Sequence, residues 1–549
     1  MIRWLSQTPN IRIVSNRFIA HYNAAMSASL APLAADASGD ALARFLAGLP
    51  ARIDTLAERV ASTAPHRVAL IDDFGRMTYG ELVHAVTATA ERLRAHGVRG
   101  GDRVMIVGEN GIAYVVLLLA VASLDAWPLL CNARLSAAEL RVIREHARPR
   151  CAIYTIDASP DAAAHARSNA ARIQWTELAL GAIAASDVDP GSVAEPVETG
   201  PAAQCAALIY TTGTTGAPKG VRLSHRNLMF IAAVSSTLRH VGPDDIAYGV
   251  LPISHVYGLT SVCLGTLYAG GTLRLAARFT PEAVLDSLAH DGLTILQGVP
   301  AMHARLVAHV ATQGVSLVAP RLRFVYSGGS PLDAALKARV EAFYGLPIHN
   351  GYGLTESSPT VAQTLLDAPR DDCAVGPVIP GVAVRIVGRD GEDLPDGEVG
   401  ELWVRGPNVM LGYYRAPELT AATVTADGWL RTGDLARRAG DGALFLAGRA
   451  RELIIHSGFN VYPIEVEQAL ASHPDVLQAA VVGHPHEGNE QVVAFVQALP
   501  GHAIDVDALA EWAAKRLAPY KRPARIRVLD TLPAASTGKV LKHRLKALL

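Results

Sequence analysis

The sequence predicts an α/β fold: a large layered α/β N-terminal domain with a β-rich subdomain, then a small α+β C-terminal domain. Three observations predict it. From about residue 50, strand-like and helix-like segments alternate, which is the pattern of a layered α/β architecture. Past residue 380 the texture changes to short strands parted by turns, as in GVAVRIVGRDGEDLPDGEVGELWVRG, where DG and PDG mark hairpins. After GRARELI (448–454) a compact βαββαβ-like pattern occupies about a hundred residues, enough for a separate small domain. At 549 residues the chain also exceeds the size at which single cores usually stop growing. The expected division is an extension over residues 1–50, a large domain over 51–450 and a small one over 451–549.

The elements follow in order. Residues 1–35 contain no acid and carry Arg3, Arg12 and Arg17, a weak likeness to a transit peptide without a secretory apolar region. They read as an extension loosely ordered at its start, or as the product of an upstream start codon with Met26 as the true beginning. Thr78 with Glu81 three residues on is a capping box that opens a helix running toward Gly97, and Ser136 with Glu139 repeats it. DRVMIVG (102–108) reads as a buried strand. The most apolar run, 115–131, is broken by Asp125 and Pro128 and falls short of the ~20 residues of a bilayer span, so it reads as a buried helix passing into a strand. Thr280 followed by Pro281 starts a helix that stops near Gly292, and TILQGV (294–299) and RFVYSGG (323–329) are the strands that follow. In the last hundred residues, helices are expected near 463–472 and 507–518, with strands VLQAAVVG, QVVAFVQA and RIRVLD.

Composition excludes several classes. Fifty basic residues against 51 acidic ones give no global electrostatic case for nucleic acid or an anionic membrane surface. The ligand expected is a small molecule, with no transmembrane segment and a homodimer left open. Five scattered cysteines with no C-x-x-C pair disfavour a disulfide framework and a zinc site and suit a reducing cytoplasm.

The chemistry is carried by short motifs. YTTGTTGAPKGV (210–221) places four threonines, three glycines and one lysine behind the apolar run AALI. Such a loop is ordinarily only a solvated turn. It is also a means of bringing N–H groups, hydroxyls and a cation against phosphate oxygens. It is no Walker loop, since Lys219 lies between Pro218 and Gly220. NGYGLTESSP (350–359) supplies G-x-G in Gly351 and Gly353, but Glu356 stands where a dinucleotide fingerprint needs its third glycine. PISHVYGL (252–259), SGGSPL (327–332), WLRTGDLARR (429–438) with GRARELI, and TGKVLK (537–542) complete the series.

These motifs in this order resemble the adenylate-forming superfamily of acyl- and aryl-CoA ligases, luciferases and peptide-synthetase adenylation domains, over roughly residues 50–549. The resemblance implies ATP, Mg²⁺ and CoA as cofactors and a small carboxylic acid as substrate. It assigns ATP binding to Thr211, Thr212, Gly213, Thr214, Thr215, Lys219, Gly329, Tyr352, Asp434 and Arg449. Within that set Tyr352 would offer adenine a ring face and Asp434 would accept both ribose hydroxyls. Thr355 would meet a phosphate and Glu356 would ligate Mg²⁺. Lys539 would bridge the acid's carboxylate and the α-phosphate, although Ala534 stands where many members have a basic residue.

The same resemblance gives His255, Tyr257, Ser261, Gly328, Gly351 and Pro359 to the acid, and Gly458 and Phe459 to CoA. Arg451 falls at the hinge about which a mobile small domain turns, where Asp or Lys is more usual. His456 and Ser457 precede Gly458 where close relatives often have a basic residue. Peptide-synthetase relatives hold their amino acid with an aspartate in the PISHVYGL region, and no acid occurs here between Asp245 and Glu282. An apolar acid, fatty or aromatic, is therefore expected. Loading of a carrier-protein phosphopantetheine stays open as an alternative. A non-catalytic nucleotide-binding relative, the other rival, should have lost Lys539 or Glu356, and both are present.

Overall fold

A computed structural model describes residue 30 and residues 40–549 except 177–179, 213–217, 457–458, 487–488 and 535–539. Two eight-stranded sheets dominate the large N-terminal part. In one, Arg103–Gly108 lies between Trp127–Asn132 and Cys151–Thr155, all parallel. In the other, Ile246–Gly249, Ile295–Gly298, Phe324–Ser327 and Ile348–Gly353 run parallel side by side.

Strand period 2 explains the layering, because alternate side chains point to opposite faces. Val104 and Ile106 join a core that also holds Leu70, Leu273 and Ile295 of the other sheet and Leu117, Leu228 and Leu264 of helical segments between them. Met105 and Val107, on the opposite face, pack with Leu140 and Ile143 of the helix Ala137–Ala147. Leu296 and Val325 likewise turn outward to Leu306, Leu336 and Val340. Both faces of both sheets are thus covered by helices, as parallel strands require. The helix Ile112–Ser123 is apolar all round and buried along almost its whole length between the sheets.

The expected capping boxes at Thr78 and Ser136 are formed, and Pro281 stands at the first turn of the helix Pro281–His290. The β-rich subdomain is a four-stranded antiparallel sheet of Ala383–Val387, Gly400–Arg405, Leu430–Arg438 and Leu444–Arg449. The small C-terminal part differs from the expected pattern in two respects. Its first strand, Ile454–His456, pairs only with Phe459–Val461 and stays outside the three-stranded sheet of Val476–His486, Asn489–Ala498 and Arg525–Val528. Its second helix is also shorter than expected, Val506–Ala514. No described helix is long and apolar enough to cross a membrane.

Candidate active site

The strands on either side of the Thr/Gly segment pair with each other. Cys205–Thr212 pairs antiparallel with Pro218–Ser224, so Thr211 faces Lys219 in register and Lys219 stands on the return strand. That pairing fixes the lysine's direction. Its Nζ lies 5.3 Å from the centre of the Tyr413 ring, and the Tyr413 hydroxyl donates to Glu356 Oε1 at 2.8 Å. The backbone of Glu356 is tied as well, since its carbonyl accepts the Met410 N–H at 2.9 Å. Lys219, Tyr413 and Glu356, far apart in sequence, therefore form one group. Burial and then the Glu356 charge push the Tyr413 hydroxyl well above its ordinary pKa, so it remains a donor.

A second group adjoins the strand Ile348–Gly353. The Tyr352 hydroxyl donates to Asp434 Oδ2 at 2.6 Å, and Arg449 Nε meets Asp434 Oδ1 at 3.1 Å. Asp434 and Arg449 sit opposite each other in the antiparallel pair Leu430–Arg438 and Leu444–Arg449, which is why a turn aspartate and a strand-end arginine come together. Burial, then the Asp434 charge, raises Tyr352 well above the usual phenol value. A carboxylate offers about four lone-pair sites, so Asp434 retains acceptor capacity beyond these two bonds. Thr355 is buried and opens the short turn Thr355–Ser357, and the Pro359 carbonyl accepts the Leu354 N–H at 3.1 Å to close the segment.

The residues expected to face the acid lie on other elements. Tyr257 and Ser261 belong to π-helical turns over Tyr257–Leu264, a geometry that recurs at functional sites. Half-buried His255 lies two residues before Tyr257, the start of that segment. Ser261 Oγ lies 3.4 Å from Thr360 Oγ1. A Cβ on Gly328 would come within 3.2 Å of the Tyr257 ring and 3.3 Å of the Tyr326 ring, and one on Gly351 would collide with the Tyr326 hydroxyl. Glycine is needed at both for the rings to approach. Gly329 adopts φ +78°, the left-handed region that glycine enters without strain.

The remaining expected residues lie on other elements, Arg451 being near enough to Arg449, Asp434 and Glu356 to feel their charges. Arg451 is on the turn Ala450–Glu452, leading out of the subdomain. Phe459 is 54 % exposed and stacks on Tyr520, with centroids 4.5 Å apart. Gly213, Thr214, Thr215, Gly458 and Lys539 lie outside the described residues, as does the side chain of Thr212. Ala534 and Val540 form a β-bridge across the ends of the segment that contains Lys539. Lys542, three residues on, places its Nζ 3.0 Å from Glu452 and 2.8 Å from Glu467. Burial alone would lower its pKa, yet those two carboxylates hold it above the ordinary lysine value.

Two groups escaped the sequence. Tyr413 sits in MLGYYR, where an aromatic pair before a helix carries no chemical signature. Arg239 ends the apolar helix His225–Leu238 and reads there as a solvated cation complementing the helix dipole. In the structure it is buried.

The family model for the AMP-binding enzyme matches residues 57–414, and that for the AMP-binding enzyme C-terminal domain matches residues 465–539. The chain belongs to the AMP-binding enzyme family. A feruloyl-CoA synthase of Amycolatopsis sp is 36% identical over 492 residues, covering 89% of this chain and 97% of that one. A sulfoacetate–CoA ligase of Cupriavidus necator is 33% identical over 510 residues, covering 90% and 98%. Among solved structures, ATP-bound MatB from Rhodopseudomonas palustris is similar with a TM-score of 0.79 at 32% identity, over 90% of this chain and 98% of that one. This member of the family is an ATP-dependent, AMP-forming acid–thiol ligase that makes a CoA thioester through an acyl-adenylate, as the ordered motifs imply.

Proposed function

We propose that this ligase activates an acid with an apolar body, aromatic or aliphatic, using the two side-chain groups above for ATP and the Tyr257 region for the acid. The observation that carries the reading is the meeting of Tyr352 and Arg449 on the two carboxylate oxygens of Asp434, alongside a glutamate and a lysine that share Tyr413. The relatives named for ferulate and sulfoacetate support a small organic acid.

A carboxylic acid of pKa ~4 is already a carboxylate at neutral pH, so adenylate formation needs no general base. The obstacle is repulsion between two anions. Lys219 and Lys539 offset that charge, Asp434 and Tyr352 hold the nucleoside, and the 211–215 hydroxyls and N–H groups hold the phosphates in line. Thiol attack on the activated carbonyl then expels AMP. CoA would reach the carbonyl past Gly458 and Phe459 once the small domain has turned about Arg451.

Glu356 fits a magnesium ion by its chemistry. Its Oε2 has no protein partner among the described residues, and Mg²⁺ is characteristically held by one or two carboxylates together with substrate phosphates. When bound, the ion would supply charge neutralisation on the phosphate oxygens.

The test is a panel of fatty and aromatic acids incubated with ATP, with CoA or with a phosphopantetheinylated carrier protein, and read by mass spectrometry. Acyl-CoA, AMP and pyrophosphate are expected. Thioester on the carrier alone would move the acceptor assignment, and ADP would remove the mechanism.

A further inference from the structure

Arg239 is 1% exposed. Its Nη1 donates to Gln297 Oε1 at 2.7 Å and its Nη2 to Gln363 Oε1 at 3.0 Å, both neutral amides. The guanidinium carbon lies 4.3 Å from the centre of the Tyr326 ring. No carboxylate among the described residues pairs with it. A buried charge that lacks a counter-ion is costly, and a cation–π contact offsets only part of that cost.

The surroundings are rich in donors that lack an acceptor. Arg239 Nε, Gln363 Nε2 and the Tyr257 hydroxyl are all buried without a hydrogen-bond partner. Native structures rarely leave such groups unpaired unless something absent completes them. Tyr326 links the set to the acid's expected seat. Its ring packs edge-on against Tyr257, with centroids 6.2 Å apart, and its hydroxyl abuts Gly351. The guanidinium thus lies directly behind the wall formed by Tyr257, Gly328 and Gly351.

We infer that Arg239 is a specificity-determining residue, and that the acid carries a second anionic oxygen group, a carboxylate or sulfonate, at the end remote from the carboxylate being activated. This rests on the reading of the Tyr257–Gly328–Gly351 wall as the acid's seat. An anionic group supplies both the missing counter-charge and the acceptors that Nε, the amide and the phenol lack, and Arg is the side chain suited to bind it in a bidentate fashion. A purely structural Arg239 would only brace Gln297 on one strand against Gln363 on another.

The experiment uses matched pairs that differ only in the far group, 4-carboxycinnamate against cinnamate and hexanedioate against hexanoate. Binding to the wild-type protein is measured by calorimetry with a non-hydrolysable ATP analogue, and thioester formation separately as kcat/KM. The inference expects the diacids to bind about 10²-fold more tightly than their monoacid partners. It expects that ratio to fall toward one in Arg239→Met and to be partly restored in Arg239→Lys, the change lying in KM for the acid. Diacids that bind selectively but yield no AMP would sustain the inference and overturn the ligase reading. Monoacids bound and turned over as well as the diacids would overturn the inference and leave the ligase reading standing. An unaltered ratio in Arg239→Met, alongside a lowered melting temperature, would make the residue structural.

Discussion

The nucleotide end of this site and its acid end are built on opposite electrostatic principles. At the nucleotide end charge is answered from within the chain: Asp434 meets Arg449 and the Tyr352 hydroxyl, while Glu356 takes the Tyr413 hydroxyl and Lys219 lies over the Tyr413 ring. At the acid end, among the described residues, a buried guanidinium has amide oxygens and the Tyr326 phenol but no carboxylate, and the phenol of Tyr257 has no partner. On the reading proposed above, the first end is preassembled for the nucleotide and the second awaits its counter-charge, so selectivity belongs there.

The largest expected effect separates the two half-reactions at the nucleotide end. Lys539→Ala should slow ATP-dependent adenylation by ~10²–10³ while thioester formation from a pre-formed acyl-adenylate persists, and a bulky residue at Gly458 should do the reverse. Equal loss in both assays would show that Lys539 serves both steps or the fold.

Asp434→Ala comes next. It removes charge-assisted bonds to the ribose, each worth about 1.5–3 kcal/mol, so KM for ATP should rise about tenfold to a hundredfold with the ranking of acids unchanged. A reordered acid profile would break the division between the two ends. Tyr257→Ala tests the same division from the other side. It should reorder the acids by about tenfold, the scale of a pocket contact, and leave KM for ATP nearly alone. Tyr413→Phe should cost about 1 kcal/mol, the worth of one hydrogen bond, read as a severalfold rise in KM for MgATP.

A further effect is on stability rather than on turnover. His303 and His349 lie beneath the acid end, bonded to the Tyr326 carbonyl and the Thr364 hydroxyl, each at 3.2 Å. Burial lowers both from 6.5 to about 4, with the Arg239 charge adding to it at His349. Between about pH 4 and 6.5 the unfolded chain therefore binds more protons than the folded one, and stability falls as pH falls through that window. Melting temperatures at pH 7.5 and 5 should differ by several degrees (~1–3 kcal/mol). A flat profile would show that these rings are not held neutral.

The contrast also explains what the sequence made legible. The layered fold was readable because period-2 strands and capped helices are local signals: the boxes at Thr78 and Ser136 and the apolar run through residues 115–131 specify their own structure. The family was readable because its motifs recur in a fixed order along the chain. Their partners were less so. Tyr413 reaches Glu356 only through the edge pairing of Gly412–Tyr413 with Val221 and Arg222, which no local pattern encodes. Arg239 carried no signal, since a cation at a helix end ordinarily faces water. Only the packing of Tyr326, Gln297 and Gln363 from three strands of one sheet encloses it.

The central claim is that the chain forms an enzyme-bound acyl-adenylate before any thiol attacks. Its most direct test is isotope exchange between labelled pyrophosphate and ATP, with acid present and CoA withheld. Exchange that requires the acid and proceeds without CoA is the result expected. Exchange that appears only when CoA is added, or that ignores the acid, would contradict it.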